Sequence, residues 1–460
     1  MNHKKSFSKD RIYQLLLLLI SLGIGLQIVL YKVAFIALLL FWILDGNILH
    51  KIKYSFYNKK LFLLILIYIF YAISIIWTEN YDFALDDLIL KSPLLFLPLI
   101  FSTLKTNNHS IVYKVLLVFA FSSLFINLYC LISSAINYSQ KLGINSFYYH
   151  NLTINMHSAY QSMYTCFSIV ILYYLKNIFF REYNRVFILI VFCQLFFILL
   201  LSSRMQIIII MLLGIVYLCI LYYKQKKIIQ PLLYIGFLFF VISLFVSIPS
   251  SLNYRYNETI RQIKSFKLKN EDSDARNAIW KHGLDVIEEN ILVGVGVGDA
   301  KDELNDRFLQ FASKDITSEK VIIAKKAQII SNRMAKEYLQ QMSILNKMTY
   351  ENYLNTYTNQ QLKIENNKYK EFVKRKYNFH NQYLQTCATI GVIGLTLLLI
   401  LLGSSFYSSI KDKQFFLAVF IFLISASFFT ESMLERQAGV SFFAFFYSLL
   451  FSQKIKNKPS

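Results

Sequence analysis

Long apolar runs dominate this chain, and polar residues are confined mostly to the stretches between them. A bilayer core takes about 20 consecutive apolar residues per helix, with a usual range of about 17–25. Runs of that length fall near 12–30, 32–49, 61–77, 86–104, 112–136, 158–176, 185–202, 205–223, 229–248, 382–403, 414–430 and 437–453. The pattern predicts an all-α, polytopic membrane protein with about twelve transmembrane helices. From Ile12 to Leu44 only Tyr31 and Lys32 interrupt the apolar stretch. The first run lacks a small-residue cleavage site and is followed by further spans, so it is expected to remain as a span rather than be removed as a signal peptide.

The basic residues set an orientation, because cytoplasmic loops carry the excess of Lys and Arg. Taking the N-terminus (Lys4, Lys5, Lys9, Arg11) as inside, alternate loops hold Lys51, Lys53, Lys59 and Lys60, then Lys105 and Lys114, then Lys176, Arg181 and Arg185. Lys224, Lys226 and Lys227 follow, then Lys411 and Lys413, and finally Lys454, Lys456 and Lys458. The short outer loops hold little more than Lys32, Lys141, Arg204 and Arg436. The alternation predicts both termini in the cytoplasm. The chain then divides into spans one to nine (1–248), a large extracytoplasmic loop (249–380), spans ten to twelve (381–453) and a cytoplasmic tail (454–460).

That large loop has 132 residues, no Pro after Pro249, no Cys, and Gly only at 283, 294, 296 and 298. Long translocated segments do not follow the charge rule, so its basic residues do not argue against an outer position. It is expected to be mainly helical. Ile323, Ala327, Ile330, Met334, Tyr338, Met342 and Leu345 recur at helical spacing and predict one apolar packing stripe.

Composition narrows the class. The chain has 460 residues, 56% of them hydrophobic and only 16% charged, with a formal charge of +21. A soluble domain carries about 25% charged residues, so a soluble enzyme, a disordered chain and a secreted disulfide scaffold are all excluded. The 41 Phe and 32 Tyr suit lipid-facing and interfacial positions. Basic loops and anionic headgroups account for the positive charge, and no nucleic-acid partner is expected. Cys130, Cys166, Cys193, Cys219 and Cys387 lie in apolar runs without a CxxC pair and read as small hydrophobes.

Polar chemistry collects at the outer ends of the predicted spans. Arg204 stands between spans seven and eight. Arg276 and Trp280 open a predicted helix, with Asp274 as its N-cap. His380 and Asn381 close the loop ahead of span ten; Glu431, Glu435, Arg436 and Gln437 lie between spans eleven and twelve; His150 and His157 flank the start of span six. Ionisable groups at membrane depth are costly and mark functional sites. Each also has a plainer reading. Arg204 and Arg436 could be snorkelling anchors, His380 a solvated loop end, Glu431 a structural ion-pair partner, and His150 and His157 loop residues. The run Gly294, Gly296, Gly298, Asp299 invites a nucleotide-binding reading. It lacks the strand–turn–helix setting of a dinucleotide site and is expected to be a tight turn ending the Arg276 helix. No HExxH, paired-Asp or Cys/His cluster suggests a metal.

Taken together, these segments resemble a known family. Arg276-Asn-Ala-Ile-Trp280 followed by Leu292-Val-Gly294-Val-Gly296-Val-Gly298-Asp299 resembles the arginine–tryptophan and glycine-rich segment of the O-antigen ligase/O-antigen polymerase superfamily. His380-Asn381-Gln-Tyr-Leu384, with Gly391 and Gly394, resembles its histidine motif, and Ser203-Arg204 resembles the arginine ahead of the large loop. Twelve spans with a loop between the ninth and tenth also fit. The segment 301–376 is longer than the simplest family pattern and reads as an insertion on the acceptor side.

The resemblance implies a membrane glycosyltransferase. Its donor would be an undecaprenyl-diphosphate-linked glycan, and its acceptor a hydroxyl on a glycan or on lipid A-core at the periplasmic face of the inner membrane. It implies no cofactor. Arg204, Arg276 and Arg436 would grip the diphosphate in place of a divalent cation. His380 would be the general base, assisted by Glu431 or Glu435, and attack opposite the diphosphate would invert the anomeric centre. Ligase, polymerase and protein O-oligosaccharyltransferase share these motifs. A lipid-linked glycan flippase or transporter is the alternative from another class, though such proteins favour midplane charges and repeat symmetry. A purely structural membrane scaffold is opposed only by the motif set.

Overall fold

The computed structural model describes residues 2–104, 109–139, 143–225, 275–312, 318–331 and 333–452. The predicted span 229–248, the start of the large loop, the Asp274 cap and the tail 454–460 lie outside the described residues. Every regular element among the described residues is helical. The first eleven helices are α1 (Asn2–Leu26), α2 (Leu30–Leu44), α3 (Ile48–Ser55), α4 (Lys59–Ile73), α5 (Tyr81–Lys91), α6 (Pro93–Thr103), α7 (His109–Asn137), α8 (Ser158–Tyr174), α9 (Lys176–Phe179), α10 (Asn184–Leu201) and α11 (Arg204–Gln225). After the undescribed stretch come α12 (Ala275–Glu289), α13 (Ala300–Ala312), α14 (Glu319–Ser331), α15 (Arg333–Leu345), α16 (Tyr350–Arg375), α17 (Gln382–Lys411), α18 (Phe415–Thr430) and α19 (Gln437–Phe451).

Four described helical stretches are long and apolar enough to cross a membrane: Lys59–Trp77, Ser110–Asn137, Asn184–Leu201 and Gln382–Lys411. The pair α2 and α3, bent by 112°, would make a fifth if it were one span. Arg204–Val216, Phe415–Thr430 and Gln437–Phe451 are shorter apolar helices. The protein is all-helical among the described residues, and its long apolar helices make it an integral membrane protein.

Local backbone chemistry explains where the predicted runs and the helices differ. The first break falls at Gln27 (φ +60), not at Tyr31 and Lys32, which lie inside α2. The run 32–49 stops at Leu44, because Gly46 (φ +79) and Asn47 (φ +55) turn the chain sharply into α3. The run 86–104 is two helices. Pro93 has no N–H to continue a helix but suits a first turn, so α5 ends at Lys91 and α6 starts at Pro93.

Phe121, Phe125, Phe192 and Phe429 are exposed, as expected of lipid-facing positions, but other aromatic residues are not. Phe442, Phe443, Phe445 and Phe446 of α19 are all buried, as befits a helix that is apolar on every side. Phe119 and Phe167 meet Phe446 edge-on at 4.8 and 5.1 Å between ring centroids. Helix α19 is thus the central post, with α6, α7 and α8 among its neighbours.

The outer-loop stripe is also corrected. Two helices, α14 and α15, replace the single one it requires, and Ile323, Ile330, Tyr338 and Leu345 are exposed. Ile329, Leu339 and Leu354 pack instead. Because α14 ends at Ser331 and α15 starts at Arg333, spacing measured across the two helices no longer marks one face.

Candidate functional site

Helix α12 presents Arg276, Trp280 and Gly283 at i, i+4 and i+7, one face of an α-helix. Trp280 and Gly283 meet the segment that carries the histidine, and Arg276 meets the carboxylate beside it. Arg276 Nη2 donates to Glu431 Oε1 at 2.9 Å. Trp280 Nε1 donates to the Phe379 carbonyl at 3.0 Å. Gly283 leaves room for the buried Phe379 ring, which a Cβ there would meet at 2.8 Å.

His380 follows with φ +47, a left-handed backbone costly for a residue with a Cβ and usually retained at functional sites. Its surroundings hold it there. Its N–H donates to Asn378 Oδ1 at 3.1 Å, and the Asn381 N–H donates to Ser432 Oγ at 3.2 Å. Asn381 then caps α17, its Oδ1 accepting from the N–H groups of Tyr383 (2.9 Å) and Leu384 (3.2 Å).

His380 Nδ1 lies 3.2 Å from Glu431 Oε2. Burial pushes the Glu431 carboxyl up. The hydrogen bond to His380 and the charges of His380, Arg276 and His157 outweigh burial and hold it below the ordinary carboxylate value. An ionised carboxylate only accepts, so Nδ1 carries the proton and Nε2 is left as the basic nitrogen. This is how a carboxylate fixes a catalytic histidine's tautomer. The Arg276 side chain is 43% exposed and Glu431 9%, so the guanidinium spans from the buried carboxylate to the surface.

Of the two acids at this bend, Glu431 joins His380 and Arg276, while Glu435 joins a different cluster. Lys91 Nζ, fully buried, donates to Glu435 Oε1 at 2.9 Å and to Asp87 Oδ2 at 2.5 Å. Lys301 stands 3.9 Å from Glu435 Oε2. Asp87 and Lys91 are not among the residues the sequence singles out; their i, i+4 spacing in an apolar run is the signal that points to them. Arg204 opens α11, where Gln206 donates to Ser427 Oγ at 2.8 Å, one turn before Glu431. That places Arg204 at the same helix ends as the cluster.

The glycine run is a joint. Helix α17 is broken at Ile390 and Gly391 (φ +69, ψ −173). The carbonyls released there accept from the loop: Val295 N–H donates to Ala388 O at 2.8 Å and Gly296 N–H to Thr389 O at 3.0 Å. At Gly391 a Cβ would lie 2.0 Å from Leu292 O, so the backbones approach too closely for any side chain. Gly298 N–H donates to Thr78 Oγ1 at 2.8 Å, and Asp299 accepts from the N–H groups of Glu79 and Asn80 at 2.8 and 2.9 Å, just ahead of α5. The run ties α12, α17 and the start of α5 together. It ends the Arg276 helix in a turn, as the sequence led us to expect.

His150 and His157 come together as well, with ring centroids 4.1 Å apart. His157 caps α8, its Nδ1 accepting from the Ala159 N–H at 3.2 Å. Burial pushes its pKa down to about 4, against a smaller upward pull from Glu431. The unfolded chain therefore binds a proton at His157 that the folded protein refuses between about pH 6.5 and pH 4. Stability should fall with acid across that window. The depressed Glu431 carboxyl acts in the same direction at lower pH, since the unfolded carboxyl takes up its proton first. The unfolding midpoint of the detergent-solubilised protein should decline from pH 6.5 to 4, and less steeply in His157→Asn, which keeps a capping side chain. A flat profile in the parent protein would contradict the assignment.

Histidine, carboxylate and arginine thus meet at the ends of apolar helices. Residues 189–320 match the family model described as O-antigen ligase, which supports the resemblance to the O-antigen ligase/polymerase superfamily. The matched stretch contains Arg204, Arg276, Trp280, the glycine run and Asp299; His380 and Glu431 lie beyond it. No curated protein matches the chain. The family implies a membrane glycan ligase- or polymerase-type enzyme.

Proposed function

We propose that the protein moves a glycan from an undecaprenyl-diphosphate-linked donor to an acceptor hydroxyl at the periplasmic face of the inner membrane, in the manner of an O-antigen ligase. The twelve-span layout with both termini cytoplasmic belongs to this reading, since it puts His380, Arg276 and Glu431 on the side where such donors carry their sugar. One observation carries it: a histidine whose tautomer a buried carboxylate fixes, with an arginine on that same carboxylate.

The chemistry follows from those atoms. His380 Nε2 takes the proton of the acceptor hydroxyl as its oxygen bonds to the anomeric carbon. The bond from that carbon to the phosphate oxygen breaks, and undecaprenyl diphosphate leaves with the electron pair. Arg276, with Arg204, meets the charge that develops on the leaving group. Attack from the opposite face inverts the anomeric centre. Glu431 keeps the imidazole oriented and stabilises the imidazolium that forms. Polymerisation uses the same steps with a growing glycan as acceptor. A flippase has no need of a base held in one tautomer.

Arg276→Lys tests the reading. Lysine keeps the charge and loses the planar fork. A lost charge-assisted hydrogen bond is worth about 1.5–3 kcal/mol, so transfer should fall by about 10- to 100-fold at unchanged protein level. Glycan transfer to the acceptor, followed on gels of surface glycans, reads it directly. Full activity in the lysine variant would reduce Arg276 to an ion-pair anchor and remove the diphosphate role.

A further inference from the structure

A cleft of about 460 Å³ has Thr153, Asn155, His157, Tyr160 and Arg436 among its walls. Its size is that of a small-ligand site, about 300–1,000 Å³. The cleft and the base share one segment. Tyr160 OH donates to the Ser432 carbonyl at 3.4 Å, and Ser432 Oγ accepts from Asn381 N–H, next to His380. His157 on the cleft wall also interacts electrostatically with Glu431 and His380, so cleft and base are neighbours.

The walls select the ligand's chemistry. Aromatic and imidazole rings follow one another along one side. His150 and His157 are 4.1 Å apart by centroid, and His157 and Tyr160 6.3 Å. Ring faces carry negative charge density and suit the C–H faces of a sugar. His157 accepts at Nδ1 from the backbone, so its neutral form donates from Nε2. Thr153 adds a hydroxyl and Asn155 an amide, each able to donate and accept. Among the described residues lining the cleft, Arg436 is the one lysine or arginine. Burial also opposes a charge on His157. A diphosphate calls for several cations; mixed donors and acceptors over ring faces match a polyol.

We propose that this cleft is a saccharide subsite of the transfer reaction, holding the acceptor sugar whose hydroxyl meets His380; the assignment to an acceptor rests on the transferase reading above. Arg436 then belongs to the sugar side, while Arg276 serves the diphosphate.

The test uses the full-length protein in nanodiscs and two probes. One is the oligosaccharide released by mild acid from the host's own surface glycan, the other inorganic pyrophosphate. Binding is read by saturation-transfer NMR and titration, with a size-exclusion profile as fold control. Asn155 is exposed on a loop, so Asn155→Trp fills the cleft without touching the base. His157→Asn keeps the helix cap and moves the donor. Each should weaken oligosaccharide binding by about tenfold or more, the scale of one or two lost hydrogen bonds, and leave pyrophosphate binding unchanged. Arg276→Ala should do the reverse. Unchanged oligosaccharide binding in Asn155→Trp, or no oligosaccharide binding by the parent protein, would overturn the proposal. So would loss of pyrophosphate binding in Asn155→Trp, which would make the cleft a phosphate site. The transferase reading fails separately: a fully active His380→Ala with intact oligosaccharide binding would leave a sugar site without that mechanism.

Discussion

Replacing His380 by alanine should abolish glycan transfer while the protein still reaches the membrane at its normal level. Loss of a general base typically costs about 10²–10⁴-fold in rate. His380 is a quarter exposed and its backbone is held from both sides, so the truncation removes chemistry rather than a packed core. The decisive comparison is His380→Gln. Glutamine keeps a donor for Glu431 but offers no basic nitrogen. If His380 only ties the loop to the bend at Glu431, glutamine restores activity; if its Nε2 takes the proton, glutamine stays as inactive as alanine. Glu431→Gln should also lower transfer, because a neutral amide no longer dictates which imidazole nitrogen carries the proton. Transfer by the three variants, normalised to membrane-protein level, decides between base and tether.

The sequence was most informative where chemistry and backbone demands coincide. Arg276, Trp280, His380 and Asn381 could be picked out by residue type at predicted helix ends, and all four meet in one cluster. The choice between Glu431 and Glu435 was out of reach. Four residues apart, they would share one face of a helix, yet Met433–Glu435 is a 3-10 turn and Glu431 and Arg436 are extended. That turn sends the two carboxylates to different cations. The glycine run showed that a tight turn was needed but not what it would dock against. Its partner, the break in α17, arises from long-range hydrogen bonds that no local pattern encodes. Nor did composition distinguish lipid-facing phenylalanines from those of α19, because burial depends on which neighbours surround a helix that is apolar all round.

The second large effect is expected at Lys91, which touches neither His380 nor Arg276 in the contacts described above. Its ammonium is fully buried and pairs with both Asp87 and Glu435, two carboxylates with almost no access to water. It joins α5 to the turn between Glu431 and Arg436. Leu434 N–H in that turn also donates to Gln382 Oε1 at 2.6 Å, two residues past His380. Lys91→Met keeps much of the volume and removes the charge. Two carboxylates are then left facing each other, with Lys301 at 3.9 Å from Glu435 as the nearest replacement. Removing one partner of a buried ion pair costs about 3–5 kcal/mol, because the remaining charge cannot be solvated. Lys91→Met should therefore lower the unfolding midpoint sharply and reduce the amount of protein in the membrane. If uncompensated charge is the cause, adding Asp87→Asn and Glu435→Gln to Lys91→Met should recover a large part of the loss, since an uncharged cluster of similar shape can be nearly as stable as the paired one. A triple variant as unstable as Lys91→Met alone would assign the effect to packing of the lysine stem. A stable Lys91→Met would show that water or Lys301 reaches these carboxylates, and that α5 does not brace the bend carrying Glu431.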